Sequence, residues 1–455
     1  MNGGQSGGAG LAYSLLLVIV VGGVLALTAG HDRAQPVAPA SGAKPTSEPA
    51  SPQKSLSRKE ITRIAVAVTP EVARHDETIR GLKFDHLPKP EVVSSDYLNR
   101  LDEREQGANG GLGGIGVGEA EGRMTGLLKP DEQLEDAYGA TGDLAAAAYD
   151  PKTERLYIVK DASGVPNQAL IEFLLSHELD HALEDQNFGI GGGGKLDGDA
   201  SLARQALIEG LATSVMQDYG AQYLNPFDLL AGADGIDTGT GGVPQFLVDE
   251  LTWSYLGGDD FINELRRLAG GWKLVNYAMS TRPPATTEQI LHPDKYIQNE
   301  LPEKVVIDPS NLTDGGYKRV DRAGLGEKQT SDLLAVGADR ATANLAAAGW
   351  NGDSYELWRG PDAELHNCAD PCRDGFILII RWSWDEPSDA GEFDDAASDY
   401  VAKGLDGKSV APGVWSLGPT AVAEGSGGTT SSLVFAPTEA LARALVNVQL
   451  QGSAP

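Results

Sequence analysis

The sequence predicts an α+β protein, and three observations carry that prediction. Apolar residues recur at helical spacing through the long stretches 168–186, 198–219 and 246–269. Short β-branched and aromatic runs, such as RLYIVK at 155–160 and FILIIRWSW at 376–384, are bounded by turn residues. The 57 glycines and 25 prolines among 455 residues punctuate both kinds of segment with loops. The expected order is a hairpin and two long helices in a domain over 58–300, then an α+β domain over 301–455.

Taken from the start, Leu11–Ala29 is an uncharged apolar run just long enough to span a bilayer as a helix. Residues 1–30 are therefore expected to be a transmembrane anchor or a signal segment. Residues 31–57 read as a disordered Pro/Ala/Ser tether. Short helices are expected over Glu60–Thr69, Val72–Arg80 and Ser95–Glu105. Gln106–Gly122 reads as a glycine-rich loop. Gly111, Gly113 and Gly116 fit GxGxxG, but the preceding DYLNRLDEREQ is no strand, so a dinucleotide site is rejected. GIGGGGK at 189–195 lacks the Ser or Thr of a phosphate-binding loop and follows a helix, so it is rejected too.

Leu144–Tyr149 and Arg155–Lys160 flank the turn DPKTE and read as a hairpin. Helices are expected over Gln168–Gln186, from Gly198 or Asp199 to about Tyr219, and over Phe246–Ala269. Strands follow at Phe376–Trp384 and Ser432–Ala436, then a helix at Thr438–Val448. Trp253 and Trp382 are expected in the core.

Composition excludes several functions. A net charge of −29 argues against binding nucleic acid through the whole surface, because phosphate attraction needs Lys and Arg. Two cysteines exclude a disulfide scaffold and a four-cysteine metal cluster. Those two, Cys368 and Cys372, are expected to pair. With the N-terminal segment, they suggest a cell-membrane protein, single-pass with an extracytoplasmic catalytic domain, or a secreted one. His366 beside them lacks a fourth ligand for a metal corner.

The chemistry lies in His177-Glu178-Leu179-Asp180-His181. Histidines four apart on a helix share a face and can meet one ion, while Glu178 stands beside it as a base. With 7 histidines and 65 acidic residues, a random HExxH is expected only about 0.015 times in this chain. The third ligand is expected to be Glu209, whose helical neighbours Leu202, Ala206, Ala212 and Met216 put it on a buried stripe. A buried carboxylate needs a partner. Asp197 and Asp199 are rivals in a glycine loop, where water is an easier partner; as a calcium loop they fail at Leu202.

HELDHALED resembles the active-site helix of thermolysin-like zinc peptidases, the gluzincins. YDPKTERLYIV, SHELDHALEDQNF, ALIEGLAT and RPPATTEQILHPDKY together resemble a group of secreted, largely uncharacterised bacterial metallopeptidases, over roughly residues 120–300. The resemblance implies a zincin-like catalytic domain with one zinc ion per chain, held by His177, His181 and Glu209, with Glu178 as general base. It implies hydrolysis of a peptide or protein substrate. A departure is Thr213, where thermolysin-like enzymes carry an Asp that orients a ligand histidine; Asp180, Asp185 or Asp199 is expected to replace it. The strand 155–160 is expected to pair with an extended substrate. His292, Tyr296, Arg282 and Tyr149 are candidates for a second oxyanion donor. Two other readings are a catalytically silent zinc-containing envelope binding protein and a non-peptide zinc amidohydrolase.

Overall fold

The computed structural model describes residues 56–98, 100, 111–134, 146–159, 167–191, 198–233, 243–309, 312–363, 373 and 375–451. Helix α1 spans Arg58–Arg80. The Ser57 hydroxyl accepts from the Glu60 N–H, and the Glu60 carboxylate accepts from the Ser57 N–H, so the first turn is capped from both sides. Gly81, at φ 67°, ends it. The two short helices expected here are one, because Pro70 removes only one hydrogen bond. The carbonyl it leaves is that of Val66, a residue 55% exposed and within reach of water.

Strands β1 (Pro90–Val93), β2 (Ala147–Asp150) and β3 (Arg155–Val159) form a small mixed sheet in the order β1-β3-β2. The expected hairpin is β2–β3, and its turn is stitched by the Asp150 carboxylate accepting from Lys152 N–H and Thr153 Oγ1. The expected role of β3 as a substrate-pairing edge is wrong. β1 lies parallel on one side of β3 and β2 antiparallel on the other, so both of its ladders are filled. Among the described residues the outer strands are β1 and β2, each with one edge unpaired.

Residues 111–122, expected within a glycine loop, are helical: α2 spans Gly111–Thr125. Glycine is a poor helix former, and tertiary packing overrides it. Gly118 and Gly122, four apart, make one flat face on which Leu134 and Leu128 lie; a Cβ on either would come within 3.0 Å of those leucines. The other side of α2 carries Ala120 and Met124 into the core of the C-terminal unit.

Then follow α3 (Gln168–Phe188), α4 (Gly198–Tyr223), α5 (Pro226–Ala233), α6 (Gln245–Ala269), α7 (Lys273–Ser280), α8 (Thr287–Leu291) and α9 (Pro293–Gln298). Helix α3 is buried continuously from Phe173 to Glu184, packed between α1, α4 and β2. That surround explains why its sequence carries no clean polar face.

The C-terminal unit is an antiparallel sheet in the order β4-β5-β6-β10-β9-β8-β7. Its strands are β4 (Lys318–Ala323), β5 (Trp350–Arg359), β6 (Phe376–Trp384), β7 (Lys408–Ala411), β8 (Val414–Ser416), β9 (Ala421–Gly427) and β10 (Thr430–Ala436). Helices α10 (Gly326–Leu334), α11 (Arg340–Ala347) and α12 (Pro387–Asp399) contribute to the core on one face, and α13 (Glu439–Gln451) covers the other. On β6, Leu378, Ile380 and Trp382 enter the first core, and Ile377 and Ile379 the second. A strand buried on both faces reads as an unbroken apolar run, which is why 376–384 was legible. Helix α2 precedes residue 300, yet its Ala120 and Met124 pack in the core of the C-terminal unit.

A polar seam joins the two units. Asp199 accepts from Thr287 N–H and Oγ1 at 3.0 and 2.6 Å, and Thr287 Oγ1 accepts from Lys328 N–H. His292 Nε2 lies 2.9 Å from Glu327 Oε1. Lys295 Nζ reaches Glu288, Glu300 and Asp385 at 2.6, 2.9 and 2.7 Å. Those three carboxylates are close enough together for a metal, but the Lys295 ammonium already serves them as cation. Gln329 donates to Glu250 at 2.8 Å. Burial pushes the Glu250 and Glu288 carboxyls up to about 7, and Glu327 raises His292. The folded protein therefore holds protons that the unfolded chain has released. For the two glutamates stability falls as pH rises from the unfolded value near 4.5 through about 7; His292 adds stability below 6.5 that is lost as pH rises through its folded value. Chelated protein is expected to melt on the order of several degrees lower at pH 8.5 than at pH 5. Calorimetry checks this, and Glu250→Gln with His292→Gln should flatten the slope.

The expected single-pass anchor and signal do not stand. Among the described residues no helix is long and apolar enough to cross a membrane. Residues 11–29, the tether up to residue 55, residues 101–110 and 192–197, and Cys368 with Cys372 all lie outside the described residues.

Candidate metal centre

Helix α3 is set by its ends. The Asn167 side chain accepts from the Leu170 N–H, and Gly189, at φ 72°, closes the last turn. Between them His177 and His181 stand one turn apart on a single face. Helix α4 brings Glu209 against that face. Gly210, next to Glu209, meets Gly258 of α6 so closely that a Cβ on Gly210 would lie 2.0 Å from the Gly258 carbonyl carbon. This glycine pair lets α6 press on α4 and delivers Tyr255, one turn before Gly258, onto His177. The two rings stack at 5.7 Å between centroids. Gly258→Val is expected to force α4 and α6 apart, cost about 1–3 kcal/mol or more, and weaken metal binding; melting and metal competition measure the two effects.

His177 Nε2 lies 2.9 Å from His181 Nε2, and Glu209 Oε2 lies 3.3 and 3.6 Å from them. A tetrahedral zinc site with bonds of about 2.0–2.1 Å has ligand–ligand edges of about 3.3 Å. The three atoms span such a face, and all three side chains are buried. The donor set fits a divalent ion chemically as well. Two imidazole nitrogens that face one another at 2.9 Å must have a proton or a cation between them. Burial and the neighbouring His181 push His177 down to about 4. His181 is held well above its usual value, against burial, by Glu184 and Glu209. The two imidazoles hold Glu209 below the usual range although burial opposes it.

Glu178 is wholly buried, and burial pushes its carboxyl up to about 8. Neither oxygen accepts a well-formed hydrogen bond. The Tyr149 backbone N–H is turned toward it. That direction follows from the sheet: Val159 N–H bonds Ala146 O, so residues 146 and 148 face β3 and Tyr149 faces the free edge of β2.

The expected supporting carboxylates are engaged elsewhere. Asp180 faces Arg80 at 3.5 Å, Asp185 accepts from the Tyr149 hydroxyl at 3.1 Å, and Asp199 serves the seam. The acid near the free nitrogen of His181 is Glu184, at 3.9 Å from Nδ1. It continues inward to Asp180, whose carboxyl burial and Glu184 hold well above the usual range, and then to Arg80. Arg80 is clamped by Asn276 Oδ1 at 3.3 Å and by the Trp272 ring at 4.4 Å. Ser176 donates to Asp76 alongside. Glu184 had a legible signal, since it stands three residues after His181 on one helix. Tyr255 and Arg80 had none, for both arrive from distant helices.

The oxyanion candidates separate. His292 pairs with Glu327, and Arg282 and Tyr296 bond each other's backbone. Only Tyr149 borders the centre, through its amide. Trp382 is in the core as expected, and Trp253 packs half-buried against the α4–α6 cluster.

Residues 311–446 match the family model for DUF8575, a domain of unknown function. No curated protein matches the chain. Among solved structures, a crystal structure described as "a putative hydrolase with a novel fold from Chloroflexus aurantiacus" is 15% identical. The match covers 53% of this chain and 89% of that one, at a TM-score of 0.27.

Proposed function

We propose that this chain is a zinc-dependent peptidase. His177, His181 and Glu209 would hold one zinc ion, and Glu178 is the general base. The observation that supports this reading is the triangle of ligand atoms at 2.9, 3.3 and 3.6 Å with Glu178 one residue from the first of them. When bound, zinc would supply a Lewis acid that makes water nucleophilic near neutral pH and polarises a carbonyl. The chain's own residues do the rest. Glu178, whose ionised form a neighbouring divalent cation would favour against burial, takes the proton of the attacking water on its carboxylate and returns it to the departing amine nitrogen. Its burial keeps bulk water from competing for that proton. Glu184, backed by Asp180 and Arg80, holds the His181 ring in orientation, and Tyr255 packs the His177 ring. The free edge of β2 can accept an extended chain as an added strand, with the Tyr149 N–H facing the scissile region. An ion assay by mass spectrometry, paired with cleavage of a peptide library by the wild type and by Glu178→Gln, tests the reading. A library that stays intact with zinc bound removes the peptidase assignment.

A further inference from the structure

The centre is closed to solvent: His177, Glu178 and His181 are 0% exposed and Glu209 is 1% exposed. A hydrolytic centre must have a route to these atoms, and the route is shut by residues of the chain itself. On the hydrolase reading above, we propose that Gly126–Leu134 is an internal strap that closes the substrate side of the centre, and that the C-terminal unit holds it shut through α2.

The strap is a surface segment pinned at two points. Lys129, Pro130 and Asp131 are exposed, whereas Leu128 and Leu134 are driven inward. Both leucines belong to the apolar cluster that contains Ala147, Leu174, Met216, Leu247, Val248 and Tyr255. Each of four of these flanks the centre. Leu174 lies one turn before His177, and Met216 lies on the face of α4 that carries Glu209. Ala147 lies two residues before Tyr149 on the free edge of β2, and Tyr255 packs on His177. The strap leucines therefore fill the cleft between the β2 edge and α6, where an added strand would run.

The opposite wall of that cleft is rigid. Helix α6 meets α4 backbone to backbone at Gly258 and Gly210, so α6 does not withdraw without breaking the core. The strap is held more lightly. Leu128 N–H bonds Gly122 O, the Arg123 guanidinium donates to Glu132 O, and Leu134 N–H bonds the Glu119 carboxylate. All three anchors are on α2. Helix α2 in turn is fixed to the C-terminal unit, where Tyr400 donates to Thr125 O at 2.7 Å and Arg373 to Met124 O at 2.9 Å. The glycines of α2 thus have a purpose: their flat face is the seat of the two strap leucines. A shift of the C-terminal unit that carries α2 with it would unseat them.

Two variants of the full chain test the strap. Glu119→Ala combined with Arg123→Ala removes the two side-chain anchors and leaves the core and the centre untouched. Gly122→Leu fills the seat of Leu128. Zinc-loaded protein is mixed with excess EDTA, and the rate of zinc release is followed beside cleavage of the peptide library. Both variants are expected to release zinc at least tenfold faster and to cleave at least tenfold faster, with equilibrium zinc stoichiometry unchanged. If Gly122→Leu does not fold, the double variant decides. Zinc bound but released and used at wild-type rates overturns the strap alone. A wild type that takes up no zinc overturns the hydrolase reading and the strap with it.

Discussion

Glu178→Gln is expected to keep one zinc per chain and to lower kcat of peptide hydrolysis by about 10²–10⁴-fold. Gln is nearly isosteric and uncharged. It removes the only function that requires a carboxylate at this position, which is to carry a proton. The ligands His177, His181 and Glu209 are untouched, so the ion stays. The buried site also gains stability, because Glu178 is raised to about 8 by burial and is costly to ionise. The variant should melt no lower than wild type. A large loss of hydrolysis with intact zinc content and intact melting separates a lost base from a damaged fold. Equal rates in the two proteins would remove Glu178 from the chemistry. Cleavage of a small amide but not of peptides would redirect the reading to a non-peptide amidohydrolase.

Removing the ion is expected to have the largest effect on stability. A ligand at a thousand times its dissociation constant adds about 4 kcal/mol to the folded state. For a unit of this size that corresponds to a melting shift on the order of 10 °C. EDTA should therefore lower the melting temperature of wild-type protein markedly. In His181→Ala the zinc content should fall below about a tenth of an ion per chain, and EDTA should no longer move the transition. The contrast matters because His181 is also charge-paired with Glu184 and Glu209. A purely structural histidine would lower stability on substitution but leave the EDTA response of wild type unexplained. No EDTA response in wild type would show that the triangle holds no ion.

Much of the centre was legible because its information is local. HExxH is a spacing within one helix, and the apolar neighbours of Glu209 are a pattern within another. Hydrophobic periodicity also placed α3, α4, α6, β6 and β10 to within a few residues. The C-terminal strands were readable since β6 is buried on both faces and must be apolar throughout.

The errors are of another kind. Strand β3 was expected at an edge, yet β1, some sixty residues earlier, fills its second side. Residues 111–122 were expected as a loop, because glycine disfavours a helix taken alone. Only Leu128, Leu134 and the core of the C-terminal unit that takes Ala120 and Met124 make that helix the lower state. The support for His181 was sought in Asp180, Asp185 and Asp199, and all three are taken by Arg80, Tyr149 and Thr287.

The amino-acid order by itself determined which side chains could meet an ion and which helices would carry them. Backbone geometry fixes the spacing of residues three and four apart, whatever surrounds the helix. The tertiary structure decided which strand lies inside the small sheet, which acid stands behind His181 and which segment covers the centre. Each of those depends on where separate pieces of chain come to rest against one another, and close packing selects among partners that local sequence leaves equivalent.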